Sequence, residues 1–236
     1  MNIVKKIFKL KYLFGFIFFI FAGSIIYVSV RIILAPAVEP ASDITVRVKS
    51  DYVLMLAQSI VGVFAMFLPG LLERRIHLHI PSAMLIAYAV FLFCAIYLGE
   101  VRRFYYLVPH WDTVLHTFSG AALGSLGFSI ANLLNKSEVV DFSLSPVFVS
   151  LFAFCFALSL GAMWEIYEFS MDSLLHTNMQ KYALESGEQL IGQAAVADTM
   201  KDLVVDAIGA FVMSLLGYIS LKYKKGWLKR FEVTKI

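Results

Sequence analysis

Charged side chains are scarce in this chain, and their scarcity decides its class. Only 16% of the 236 residues are charged, whereas 60% are hydrophobic and the mean hydropathy is +0.78. Soluble domains carry about 25% charged residues, so this composition excludes an ordinary soluble fold. The only two cysteines, Cys94 and Cys155, each lie in an apolar run, which excludes a disulfide framework and a CxxC metal site.

Linkers and internal repeats are also missing, and long hydrophobic runs take their place. We therefore expect a single integral membrane domain over residues 1–236. Six stretches approach or exceed the roughly 20 residues that cross a hydrocarbon core: Tyr12–Leu34, Tyr52–Leu72, Ala83–Leu98, Val114–Leu134, Pro146–Tyr167 and Met200–Leu221. This pattern predicts an all-α, polytopic membrane helix bundle. Residues 12–105 hold three peripheral spans, residues 106–221 hold spans four to six, and residues 222–236 form a basic tail.

The first span follows four lysines and therefore shares one feature with a secretory signal peptide. Its apolar run approaches about 20 residues, longer than the usual signal-peptide core of about 7–15 residues. We therefore expect the first span to be retained as a transmembrane helix.

Basic residues are distributed unequally between the two sides of the predicted bundle. If both termini are cytoplasmic, thirteen of the twenty lysines and arginines lie on that side. They are Lys5, Lys6, Lys9, Lys11, Arg74, Arg75, Lys136, Lys222, Lys224, Lys225, Lys229, Arg230 and Lys235. This arrangement obeys the positive-inside rule, so we predict cytoplasmic termini. The pI near 8.8 then reflects membrane anchoring, and no basic patch has the interleaved aromatic residues typical of nucleic-acid binding.

Ionisable side chains occur where a membrane protein rarely keeps them. Eight lie inside or at the ends of spans four to six, at the outer end of each span in the predicted topology: Asp112, His116, Glu165, Glu168, Asp172, Asp198, Asp202 and Asp206. Each costs on the order of 3 kcal/mol at mid-membrane on insertion scales. A bound divalent cation would offset this cost, because carboxylates and imidazole are its usual ligands.

Span four opens with Asp112 and His116 at positions i and i+4, on one helix face. Both side chains fit one cation, or the carboxylate orients the imidazole that binds the cation. We assign both residues to a catalytic centre. A purely structural role is the alternative, because Asp112 suits the first turn of a helix and His116 fits a buried, hydrogen-bonded histidine.

Span five ends with Glu165, Glu168 and Asp172 on one helix face. Like charges repel at this spacing, and the C-terminal end of the helix dipole disfavours anions. These unfavourable terms argue against an idle surface, so we predict that all three acids are metal ligands. For Asp172, a simple interfacial position is the alternative.

Span six opens with Asp198, Asp202 and Asp206 at i, i+4 and i+8, along one stripe of the helix. Asp206 lies roughly 12 Å deeper than Asp198, because a helix rises 1.5 Å per residue. We predict that these three acids are metal ligands too, although Asp198 also fits an N-cap.

Two further features lie beside these motifs. Arg102 and Arg103 precede span four on the outer side, and adjacent arginines suit a phosphate or carboxylate, so we predict a substrate-binding role. Interfacial anchoring within an aromatic belt is the simpler alternative. Small residues in span four (Gly120, Gly124) and span six (Gly209) predict close packing of spans four to six.

The three acidic segments together resemble the YjdF-type family of bacterial inner-membrane proteins. The resemblance covers about residues 105–215 and rests on three patterns, Trp111-Asp112-x-x-x-His116-x-x-x-Gly120, Trp164-Glu165-x-x-Glu168-x-x-x-Asp172 and Asp198-Thr199-x-x-Asp202-x-x-x-Asp206-x-x-Gly209-Ala210. The DxxxH start of span four is also similar to VanZ-like membrane proteins, which are linked to glycopeptide resistance. The resemblance implies a multi-pass protein of the bacterial cytoplasmic (inner) membrane and no particular chemistry.

These features favour a metal-dependent membrane enzyme, a hydrolase or transferase acting on a lipid or lipid-linked envelope substrate near the outer leaflet. Hard oxygen ligands favour Mg²⁺, Mn²⁺ or Ca²⁺, and the single imidazole keeps Zn²⁺ open. Two other functions stay open. One is a divalent-cation or proton-coupled transporter, and the other is a non-catalytic envelope or resistance factor whose metal is structural.

The orientation yields the first prediction. With both termini cytoplasmic, the loop between spans five and six faces outward. A cysteine introduced at Gly187 in a chain lacking its native cysteines should react with an impermeant thiol reagent in intact cells. Labelling that occurs only after lysis would invert the topology and move the acidic cluster to the cytoplasmic leaflet.

Overall fold

The computed structural model describes residues 3–36, 47–135, 144–184 and 188–235, with the backbone alone at residues 3–9 and 235. It confirms the predicted all-α membrane bundle, since six helices within these ranges are long and apolar enough to cross a membrane. Lys136 and Gly187, which belong to the topology argument, lie outside the described residues.

The described residues contain seven α-helices, and each of the six predicted spans is longer in the structure than its predicted apolar run. They are α1 (Ile3–Leu34), α2 (Lys49–Ile76), α3 (Ser82–Leu92), α4 (Phe104–Leu107), α5 (Trp111–Asn135), α6 (Pro146–Leu175) and α7 (Gln193–Lys222). A π-helix, Phe93–Val101, continues α3 to the end of the third span, and a short 3-10 turn, Lys229–Phe231, follows α7. Because α7 begins at Gln193, Asp198 is not an N-cap.

Local sequence explains where several helices begin and end. The Ser145 side chain accepts a hydrogen bond from the Phe148 amide at 3.2 Å, and Pro146 takes the first helical position of α6. His77 and His176 end α2 and α6 in the left-handed conformation, each with φ of 53°. These caps place Glu165 inside the last turns of α6 rather than in a loop.

The first three spans pack mainly through apolar side chains. Their core consists of Ile17, Phe21, Met66, Ala89, Leu92 and Ile96. A second apolar cluster joins α5, α6 and the chain after α7 through Phe128, Ala131, Val149, Ala153 and Leu228. Most of the other buried residues of α5, α6 and α7 are polar or small, and the buried acids of these helices lie in this half of the bundle.

Glycines allow α5 and α7 to approach closely, as the small-residue pattern predicts. A Cβ added to Gly120 would collide with the main chain of Asp206, and one added to Gly209 would collide with the carbonyl of Thr117. Gly120 therefore faces α7, and Gly209 faces α5. Because neither glycine has a side chain, the two helix backbones can lie close together. This close approach brings the acids of α7 onto α5.

A small strand pair defines one end of the bundle. Strand β1 (Leu78–His79), after α2, pairs antiparallel with β2 (Thr234–Lys235), near the C-terminus. The start of α5, the end of α6 and the start of α7 meet at the opposite end, where the acids lie. The C-terminal tail and the acids are therefore at opposite ends, while the membrane side of each end stays a prediction.

The helix contact yields a second prediction. Gly209→Ala should destabilise the bundle by about 1–3 kcal/mol, because its methyl group meets main-chain atoms that cannot move aside. Gly70→Ala is the matched control, since a Cβ on this exposed helical glycine meets no atom within 4 Å. Thermal unfolding in detergent measures both, and equal melting temperatures for the two variants would contradict the assigned packing.

Candidate functional site

The His116 imidazole lies at the centre of the buried acids and contacts three of them. Its Nδ1 atom is 3.2 Å from Oδ2 of Asp206, and its Nε2 atom is 3.6 Å from Oδ1 of Asp112 and 3.9 Å from Oδ2 of Asp202. The ring is buried, with 8% of its residue surface exposed. The Asp206 carboxylate thus contacts Nδ1, and the carboxylates of Asp112 and Asp202 both lie near Nε2.

Asp206 is fixed so that it orients the histidine. The Ser119 hydroxyl donates to Oδ1 of Asp206 at 2.9 Å, which leaves Oδ2 for the imidazole. Gly161 of α6 makes room for this carboxylate, because an added Cβ would lie 2.6 Å from Oδ2. If Nδ1 carries the proton and donates it to Asp206, the lone pair of Nε2 points toward Asp112 and Asp202.

Asp112, His116 and Asp202 have the arrangement of a metal-ligand set. One ligand atom from each lies within 4.8 Å of the others. Bonds of about 2.0–2.2 Å to one tetrahedral ion place ligand atoms about 3–3.5 Å apart, so small side-chain shifts would close the set. Asp202 is 1% exposed, and its Oδ1 atom accepts no hydrogen bond from a described residue.

The two glutamates of α6 differ in their surroundings. The indole Nε1 of Trp164 donates to Oε1 of Glu168 at 2.9 Å. Glu165 is 5% exposed, and neither of its carboxylate oxygens accepts a hydrogen bond within the described chain. A buried carboxylate without a donor is costly, so Glu165 is available for a ligand that supplies positive charge or a proton.

Lys181, from the loop between α6 and α7, supplies the cation that sequence reasoning missed. Its ammonium contacts the carboxylate of Asp112 and lies 3.0 Å and 3.1 Å from the two oxygens of Asp198. Burial disfavours this charge, but the two carboxylates outweigh it and hold the pKa of Lys181 above its ordinary value. Asp198 therefore pairs with Lys181, and its predicted role as a metal ligand is not supported by these contacts.

Asp172 organises the loop that carries Lys181. It accepts hydrogen bonds from the Thr177 hydroxyl at 2.7 Å, the Met179 amide at 2.7 Å and the Gln180 amide at 3.0 Å. With its oxygens engaged in this way, Asp172 acts as an anchor of the loop, and its predicted metal role stays a prediction that these bonds do not favour. No short motif in the loop announced Lys181, because the pairing joins residues far apart in sequence.

The acidic region extends to the third span, which the sequence analysis did not include. The Gln58 amide donates to Oε1 of Glu100 at 3.4 Å, near the end of the π-helix. The Tyr105 ring packs against Gly99, and burial together with Glu100 and Asp112 raises the pKa of the Tyr105 hydroxyl well above its ordinary value. An acid at the end of an apolar run was the available signal for Glu100.

The two predicted substrate-binding arginines face different surroundings. Arg103 lies over the ring of Tyr106, with 5.6 Å between its guanidinium carbon and the ring centroid. Arg102 lines a groove between α1 and the π-helix. The pair is therefore divided between two surfaces, and its shared grip on one anion stays a prediction.

These features define a polytopic helical membrane protein with a buried His/Asp cluster between three helices. The chain belongs to the DUF2238 family of predicted membrane proteins, whose pattern matches residues 27–223. The YjdF-type resemblance agrees with this family, whereas the likeness to VanZ-like proteins stays a prediction. An uncharacterised protein of Thermotoga maritima is 29% identical over 154 residues, covering 64% of this chain and 70% of the relative. No solved structure matches.

The pairing of Lys181 yields a third prediction. Lys181→Met should destabilise the protein by about 2 kcal/mol, less than for a fully buried pair because the lysine is partly exposed, and it leaves two carboxylates without their cation. Lys201→Met is the matched control, since this lysine is exposed near the start of α7. Melting curves in detergent compare the two variants. An unchanged melting temperature for Lys181→Met would show that the ion pairs of Lys181 do not stabilise the protein.

Proposed function

We propose that the cluster binds one divalent cation through Nε2 of His116 and the carboxylates of Asp112 and Asp202. The observation that carries this proposal is the 3.2 Å contact between Asp206 and Nδ1 of His116. With the proton on Nδ1, the lone pair of Nε2 faces Asp112 and Asp202, and Asp202 has an unpartnered buried oxygen. Asp206 then orients the ligand histidine instead of binding the ion, as carboxylates often do behind metal-bound imidazoles.

The charge balance of the cluster supports a bound cation. Six carboxylates converge there: Asp112, Glu165, Glu168, Asp198, Asp202 and Asp206. Lys181 and His116 are the basic groups in direct contact with them among the described residues. Lys181 supplies one positive charge, and His116 supplies one only when it is protonated and binds no metal. Six carboxylates therefore need protons or a divalent ion to neutralise the remainder.

The bound ion would supply the chemistry of a hydrolase or transferase. A divalent cation lowers the pKa of its water toward 7 and polarises a phosphoryl oxygen. Mg²⁺, Mn²⁺ and Ca²⁺ suit the carboxylate oxygens, and the imidazole also suits Zn²⁺. Glu165 is suited to accept a proton from bound water, because its carboxylate is buried beside the cluster.

A lipid or lipid-linked envelope substrate fits the position of the site. The cluster lies near one end of three membrane spans, where the head group of a membrane-embedded substrate would be found. Lys181 adds a positive charge beside the ligand carboxylates and suits a phosphate group of such a substrate. We place the protein in the bacterial inner membrane with this end outward, in accord with the basic residues.

Transport of the ion receives less support. Between the cluster and the opposite end of the bundle, the described parts of α5, α6 and α7 contain no acidic or basic side chain. The first charged residue at that end is Lys222, at the end of α7. An ion entering the cluster would therefore meet no charged group on the way to the opposite end.

Metal removal yields the fourth prediction. Chelation should lower the melting temperature of the purified protein, and Mn²⁺, Mg²⁺, Ca²⁺ or Zn²⁺ should restore it, because a ligand specific to the native state stabilises that state. Asp202→Asn should abolish both the shift and the metal retained after purification, measured by elemental analysis. Glu188→Gln, an exposed acid in the α6–α7 loop, is the control and should behave as wild type.

An unchanged wild-type melting curve after chelation, with no metal retained, would contradict the metal site and favour protonated carboxylates. The catalytic part has a separate readout, which is phosphate release from a lipid phosphate in mixed micelles. A protein that retains metal but releases no phosphate would contradict catalysis on this class of substrate and leave a structural ion.

A further inference from the structure

A second concave surface lies between the first and third spans, apart from the His116 cluster. It is a groove of about 390 Å³ between α1 and the π-helix. Its walls include Phe19, Ile20, Gly23, Tyr27 and Tyr97, and Arg102 also lines it. The volume is within the range of about 300–1,000 Å³ that is typical of ligand sites.

The groove owes its shape to a glycine and to the irregular helix opposite it. A Cβ on Gly23 would meet no atom within 4 Å, so the absent side chain leaves open space. On the other wall, the Arg102 amide bonds to the carbonyl of Tyr97 at 2.8 Å, five residues earlier, which is the widened turn of a π-helix. Such turns often occur at functional sites.

The groove combines an apolar body with a positive end. From Phe19 to Tyr27 it follows α1 for about 12 Å, at 1.5 Å per residue. Arg102 lies just past the π-helix, is exposed, and its side chain makes no ion pair with a residue that the structure describes. Both walls belong to spans that cross the membrane, so hydrocarbon surrounds the apolar part.

We propose that this groove binds one acyl chain of an anionic phospholipid and that Arg102 binds the lipid's phosphate. An apolar channel inside the hydrocarbon region takes an acyl chain, and a guanidinium at its end complements a phosphate, with which arginine forms paired hydrogen bonds. Tyr27 and Tyr97 add aromatic rings to the lining, and tyrosine is enriched where head groups meet the apolar core of a bilayer. The site is independent of the metal cluster.

The test compares two glycines of the same helix. Gly23→Leu fills the groove, whereas Gly15→Leu adds the same side chain at another position on α1 where a Cβ meets no atom within 4 Å. Arg102→Gln removes the charge and leaves the groove. Each full-length protein is reconstituted with phosphatidylglycerol or phosphatidylcholine, extracted in mild detergent and examined by native mass spectrometry for retained lipid.

We expect wild type and Gly15→Leu to retain phosphatidylglycerol, one molecule per protein. The fraction of protein that carries the lipid should be at least tenfold higher than for Gly23→Leu or Arg102→Gln. Equal retention in both leucine variants would overturn the groove as the site. Equal retention of phosphatidylcholine, or full retention by Arg102→Gln, would overturn the recognition of an anionic head group. Displacement of the lipid by millimolar inorganic phosphate would also overturn the proposal, because it would assign the site to a free anion.

Discussion

Burying several carboxylates between three membrane helices constrains the rest of this structure. In a medium of low dielectric constant each charge needs a nearby partner of opposite charge. The chain itself supplies two basic side chains for these carboxylates. His116 lies between Asp206 on one side and Asp112 and Asp202 on the other, while Lys181 joins Asp112 to Asp198. The packing of α5, α6 and α7 serves these contacts.

Two features make such close contacts sterically attainable. Gly120 and Gly209 remove the side chains that would separate α5 from α7, and Gly161 leaves space for the Asp206 carboxylate. Asp172 then holds the α6–α7 loop through its main-chain amides, so that Lys181 reaches back into the cluster. An acid expected to bind metal thus helps to deliver the internal cation.

The two halves of the bundle differ in the side chains that they bury and expose. The α5–α7 half contains the polar cluster, whose ring nitrogen, carboxylates and unpartnered oxygens suit a cation. The first three spans have an apolar core and present a lipid-facing groove, although Glu100 and Tyr105 bring their outer end into the electrostatic field of the acids. The proposed metal site and the proposed lipid site therefore lie on separate surfaces of one small membrane protein.

The sequence by itself determined the class, the six spans and which segments carry acids, because hydrophobic length and helical spacing are local properties. It also predicted that His116 belongs with Asp112, since i and i+4 share a helix face. Only the tertiary structure decided that Asp206 orients His116, that Asp198 pairs with Lys181 instead of capping α7, and that Glu100 lies near the cluster. These relationships join residues distant in sequence, so they depend on the rotation and depth of each helix and on the path of a loop, which no local pattern encodes.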